Sequence, residues 1–157
     1  MFEETAIQGV FLTCLREITD HRGSVLHLMR RDDELFKGFG EVYFSEVFPG
    51  KYKAWKKHIR QTQNVAVPRG RIRLVLFDGR DGSATRGTLL ELELGRPDRY
   101  FRVTIPPGIW YGFANIGNAP ALLVNCVDFP HDPSESMVTD TIDQNMNYSW
   151  ESVIHDS

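Results

Sequence analysis

The chain reads as an all-β domain, a sandwich or barrel of antiparallel strands, and three observations carry this. Its apolar residues recur in short runs, most of strand length and rich in β-branched or aromatic side chains. Gly, Pro, Asp and Asn, the residues that turn a chain, bound these runs. No helix-length periodic segments lie between them, as parallel βαβ units would require.

Taken in order, the runs are GVFLTCL (9–15), SVLHLMR (24–30), EVYFSEVF (41–48), KYKAWKKHIR (51–60), NVAVP (64–68), RIRLVLFDG (71–79), GTLLELELG (87–95), RYFRVTIP (99–106) and ALLVNCVDF (121–129). The alternation is clearest where Leu90, Leu92 and Leu94 are separated by Glu91 and Glu93, the pattern of a strand with one buried face. RRDDELF (30–36) is the one run with helical character, and it is short. Residues 132–157 are polar and less regular. They are expected to wrap the barrel as the C-terminal part of a single domain spanning 1–157, with NYSW (147–150) as the anchor.

A length of 157 residues with 41% hydrophobic content supports one real core. The net charge of −3 gives no overall basic surface for general nucleic-acid binding, so the basic stretch KAWKKHIRQ (53–61) is a local feature. No export signal and no apolar stretch near the length of a membrane span is seen, and a cytoplasmic location is expected. Cys14 and Cys126 each sit in an apolar run without metal or redox spacing, and both are expected to be reduced core residues. If 53–61 is a strand, Ala54, Lys56, His58 and Arg60 share one face, and Lys53, Trp55, Lys57 and Ile59 the other. An edge strand guarded by lysines would read the same way.

Two spacings resemble the motifs of the cupins, small antiparallel jelly-roll barrels. The first cupin motif runs Gly, His, His, Glu, Gly; Gly50, Lys56, His58, Gln63 and Gly70 stand at its positions. The second runs Pro, Gly, His, Asn; Pro106, Gly108, Tyr111 and Asn115 match it, with Tyr100 where an earlier glycine is expected. The resemblance implies a cupin-type barrel with short helical segments, and a barrel interior onto which Lys56, His58 and Arg60 face. It also places Lys56, His58, Gln63 and Tyr111 where metal-binding cupins carry three histidines and a glutamate. A lysine ammonium has no lone pair and an amide oxygen is a poor carboxylate substitute, so no metal and no other cofactor is expected.

Within the cupins, the order of IQGV (7–10), DHRG (20–23), PGKYKAWKKH (49–58), GRIRLVLFDGRDGSATRG (70–87), IPPGIWYGF (105–113) and YSW (148–150) resembles the dTDP-4-dehydrorhamnose 3,5-epimerase family over roughly residues 7–150. The resemblance implies a homodimer that binds a nucleoside-diphosphate 4-keto-6-deoxyhexose, dTDP-linked, and moves protons beside the ketone. The family's base histidine falls on His58, and the arginine of its DHRG-like motif on Arg22, a phosphate ligand. Its enolate lysine falls on Arg71 and its second-motif histidine on Tyr111. The region of its acid tyrosine falls on NCVDFPHD (125–132), which has none; His131 is the substitute. The carboxylate that orients the base has Asp143 as its nearest candidate.

The residue types suit this chemistry. An acidic C–H needs a base and a developing enolate needs a donor, for which Lys56, His58 and Tyr111 are the candidates. A diphosphate needs cations, offered by Arg22, Lys53, Arg60 and Arg71, and a base needs an aromatic platform, offered by Tyr43, Phe44 or Trp55. Gln63 joins them as a polar substrate contact. For Arg69, Arg71 and Arg73 a plain solvated strand face fits equally well. The resulting expectation is an isomerase epimerising C3, C5 or both in making a surface or secondary-metabolite sugar. A sugar-nucleotide 3,4-ketoisomerase and a non-catalytic sugar-nucleotide-binding cupin are the alternatives.

Overall fold

The computed structural model describes residues 1–141 and 148–155. Thirteen strands are seen among them: β1 (Phe2–Glu4), β2 (Phe11–Cys14), β3 (Glu17–Asp20), β4 (Gly23–Leu26), β5 (Glu41–Val47), β6 (Tyr52–His58), β7 (Gln63–Arg69), β8 (Arg71–Asp78), β9 (Leu89–Gly95), β10 (Phe101–Ile105), β11 (Ile109–Asn115), β12 (Ala121–Val127) and β13 (Ser136–Val138). A 3-10 turn spans Pro133–Glu135, and a short helix α1 spans Trp150–His155. All pairings are antiparallel. A six-stranded sheet ordered β1-β2-β10-β7-β12-β5 faces a five-stranded one ordered β13-β6-β11-β8-β9, and β3–β4 form a separate hairpin. This is the jelly-roll architecture expected of a cupin.

The period-two pattern decides what each sheet buries. Ile72, Leu74 and Leu76 of β8 point inward and meet Val65, Val67, Val103, Ile105 and Leu123 from the other sheet. Each such fully buried aliphatic side chain contributes about 1.5–3 kcal/mol. Between them, Arg71 and Arg73 point outward, where Arg73 pairs with Glu91 and Glu93 of β9 and Arg71 with Asp98. The arginine row is thus an ion-paired outer face, and Arg71 does not enter the barrel.

A second apolar cluster lies on the outside of the five-stranded sheet. Val75, Trp110 and Ala114 there are covered by Trp55 and by Trp150 and Val153 of α1. Tyr148 and Trp150 of the expected anchor do pack here: the Trp150 ring lies 5.0 Å from that of Trp55 and 4.9 Å from that of Tyr148.

Three expectations are corrected. The run 30–36 forms turns rather than a helix, because Asp33 is engaged as a two-pronged partner of the buried Arg102 (2.8 and 3.0 Å) and accepts from the Leu35 amide. Cys126 is buried and free, whereas Cys14, also free, stands exposed at the end of β2. On β6, the strand alternation is broken. Tyr111 faces Lys56 but Phe113 faces Lys53, so three residues of β6 span two of β11. This bulge turns Lys53 to the same inward side as Lys56.

Candidate active site

Between the sheets lies a cavity of about 350 Å³. Tyr43 and Ser45 of β5 and Asn125 of β12 form one wall, and Lys53 and Lys56 of β6 with Tyr111 of β11 form the other. Lys53 sits on the exposed side, its ammonium donating to Ser45 Oγ at 2.8 Å.

Behind the Tyr111 wall, His58 is buried (5% exposed) and bonded through both ring nitrogens. Nδ1 lies 2.6 Å from Glu135 Oε2, and Nε2 lies 3.1 Å from the Tyr111 hydroxyl. Glu135 is itself buried (3% exposed). Its other oxygen accepts from the backbone amides of Arg60 and Gln61, both at 2.7 Å.

Local sequence explains why Glu135 is there. Asp132 caps the 3-10 turn by accepting from the Ser134 amide, and Pro133 starts it. The Ile59 amide donates to the Glu135 carbonyl, and β13 then pairs Ser136 with His58. Strand addition beside β6 therefore sets the carboxylate against the imidazole. The bend after His58 supplies the two amides.

The electrostatics fix the protonation pattern. Burial pushes the Glu135 carboxyl up, but the His58 hydrogen bond and the two amides outweigh it, leaving Glu135 below its ordinary value and ionised. Burial likewise lowers His58, with the Lys56 charge acting in the same sense against the pull of Glu135. A carboxylate only accepts, so the single imidazole proton sits on Nδ1, and the Nε2 lone pair accepts from Tyr111. Burial holds the Tyr111 phenol far above its usual value, so its proton stays on oxygen. The result is a neutral imidazole with its Nε2 lone pair aimed at the cavity wall.

The other expected residues divide. Tyr43 and Gln63 converge on Asn125, whose amide donates to the Tyr43 hydroxyl at 2.9 Å and to Gln63 Oε1 at 2.5 Å. Trp55 belongs to the cavity lining, but its side chain is packed into the outer cluster and only 3% exposed, and so is no open platform for a base. The exposed Phe44 is on the outer face of β5. Arg60 lies beyond the end of β6 instead of inside the barrel, its guanidinium near Phe129 (6.0 Å) and Asp132 (3.5 Å). His131 is exposed on the loop leading to Glu135. Arg22 is at the β3–β4 turn, 77% exposed and paired with Asp20. Asp143 lies outside the described residues. Glu135 was missed: an Asp-Pro turn start is visible in the sequence, but nothing there points it at a histidine 77 positions away.

Among the described residues no cluster of three or more metal-ligating acidic, His or Cys side chains occurs, and no helix is long and apolar enough to cross a membrane.

A jelly-roll cupin holding a buried histidine–carboxylate pair beside a largely apolar, lysine-bearing cavity is a barrel of the nucleotide-sugar epimerase class. Residues 4–157 match the family model of dTDP-4-dehydrorhamnose 3,5-epimerase, and the chain belongs to that family. It is accordingly an isomerase. The chain is 32% identical to the probable low-salt glycan biosynthesis epimerase Agl13 of Haloferax volcanii over 121 residues, 76% of this chain and 77% of that one. It is 30% identical to the spore coat polysaccharide biosynthesis protein SpsL of Bacillus subtilis over 129 residues, 82% and 85% of the two chains. Among solved structures, the dTDP sugar isomerase of Desulfovibrio desulfuricans G20 superposes with a TM-score of 0.88 at 46% identity, covering 96% of this chain and 94% of that one.

Proposed function

We propose that the protein epimerises C3, C5 or both of a dTDP-linked 4-keto-6-deoxyhexose, with His58 as the base. The observation that carries this reading is the Glu135–His58–Tyr111 chain ending at the cavity wall. A ketone oxygen entering the cavity offers the Tyr111 hydroxyl a second acceptor besides Nε2, one that strengthens as enolate charge develops on it. As that hydroxyl turns to the ketone, it polarises the carbonyl and at the same time releases the Nε2 lone pair for the neighbouring C–H. Lys56, on the same wall, stabilises the enolate that follows. Lys53, at the exposed side, is placed for a phosphate.

Arg22 does not line the cavity of its own chain. In a homodimer its exposed hairpin is free to reach the partner's nucleotide, and this is the role we assign to it. The two curated relatives are named for glycan and polysaccharide biosynthesis, which suits a surface sugar as the end product.

The test is proton wash-in. Incubation with a dTDP-4-keto-6-deoxyhexose in D2O is expected to place deuterium at C3 or C5, and His58→Ala to slow this by about 10²–10⁴-fold. No exchange above the His58→Ala background would sink the assignment, and a carbonyl moved to C3 in the product NMR would mark a ketoisomerase. A thermal-shift series with dTDP, UDP, GDP and CDP is expected to single out dTDP, because a ligand of the folded state raises its stability.

A further inference from the structure

Inverting a carbon needs two proton-transfer groups, one on each face of the enolate, and His58 supplies only one. The region where the family carries its acid tyrosine lies at the end of β12, and it holds none. The wall opposite His58 and Tyr111 does carry a phenol. Tyr43 and Asn125 are direct cross-strand partners on β5 and β12, both facing inward. The Asn125 amide donates to the Tyr43 oxygen at 2.9 Å. That bond uses a lone pair of the phenol and leaves its own O–H unspent. Asn125 is held in this orientation because its second contact is the buried Gln63 Oε1. Tyr43 is also among the groups that oppose ionisation of Tyr111.

Building on the epimerase reading, we propose that Tyr43 is the proton donor that completes inversion, its hydroxyl delivering to the enolate face opposite His58. The sequence balances simply. His58 Nε2 takes the proton as the C–H bond breaks to the enolate. The Tyr43 O–H then breaks as the new C–H forms on the other face, and water reprotonates the phenolate and takes the proton from the imidazolium. The donor has in effect moved one strand sideways, from β12 to its hydrogen-bonded neighbour. Burial of the Tyr43 phenol holds its proton on above the usual tyrosine range, although the Asn125 bond works the other way.

The experiment separates exchange from inversion. With a dTDP-4-keto-6-deoxyhexose in D2O, wild-type protein is expected to give deuterium with inversion. Tyr43→Phe is expected to lose inversion by about 10²–10⁴-fold while deuterium still enters with retention, returned by His58 on its own face. A merely structural tyrosine would lower both together, and that result overturns the proposal, as does inversion at the wild-type rate. No exchange even in the wild type overturns the epimerase reading and this proposal with it. Should Tyr43→Phe fail to fold, 3-fluorotyrosine at position 43 keeps ring and hydroxyl. Its more acidic phenol is expected to move the alkaline limb of inversion to lower pH, and an unmoved limb counts against the donor role.

Discussion

Glu135 makes three roles from one side chain: it orients His58, fixes its tautomer, and satisfies two amides at the bend after β6. Glu135→Gln keeps an oxygen for the amides but turns an NH2 toward Nδ1, which must then accept. The imidazole proton moves to Nε2 and the lone pair is lost from the cavity side. The expected outcome is kcat lowered by about 10²-fold or more with KM little changed, read from steady-state kinetics. Glu135→Ala also strands the two buried amides, at about 1–3 kcal/mol each, and denaturant midpoints report it. The same pair sets an acid limit. His58 is lowered from 6.5, so the unfolded chain takes up a proton at a pH where the folded one does not. Stability is therefore full above about pH 6.5 and declines as pH falls from there towards the folded value. Glu135, lowered from 4.5, adds a loss of the same sign at lower pH. Unfolding midpoints measured from pH 7.5 to 5 should fall more steeply for the wild type than for His58→Gln; parallel curves would show that His58 does not titrate on unfolding.

At the scale of the element, β6 carries most of the site, and its bulge decides which cations serve it. A strict period of two sends Lys53 and Trp55 to one face together, whereas the structure turns Lys53 inward and leaves Trp55 and Lys57 outside. Lys57 rests over the Trp110 ring at 4.5 Å. Hence Lys53→Ala and Lys56→Ala are expected to impair turnover or raise KM. Lys57→Ala should leave kinetics intact and remove about 0.5–1 kcal/mol of stability. Equal kinetic effects from Lys56 and Lys57 would refute the inward placement. This strand also shows what the sequence could reveal. The inward positions of Lys56 and His58 were legible because two motif spacings fixed the phase. The bulge was not, because an extra residue leaves no mark in composition and appears only in the pairing with β11. Arg60 was misplaced for a related reason: alternation extrapolates a strand, while the need of Glu135 for two amides ends it at His58. β11 itself, buried along its whole length, is absent from the strand-like runs and entered only through the second motif, since it shows no alternation.

For the whole molecule, the two sheets enclose the candidate site, and Tyr148, Trp150 and Val153 close the opposite side of one of them. Gly112 of β11 shows how tightly: a Cβ there would stand 2.7 Å from Trp150 Cζ2 and 2.4 Å from the Ala54 Cβ. Trp150 also stacks on Tyr52, at 5.5 Å and 10°. Truncating such a ring costs about 3–5 kcal/mol in transfer and cavity terms. For a domain of this size that corresponds to a midpoint lowered by about 6–20 °C. Trp150→Ala should show this in thermal unfolding, yet retain activity per folded molecule well below the midpoint, because the cluster packs on the face of β6 and β11 turned away from Lys56 and Tyr111. An unchanged midpoint would mean that α1 contributes nothing to the fold. A fully folded variant with lost turnover would mean that the outer cluster, acting through the β6 bulge, sets the positions of Lys53 and Lys56, and the site would then have to be described as two-sided.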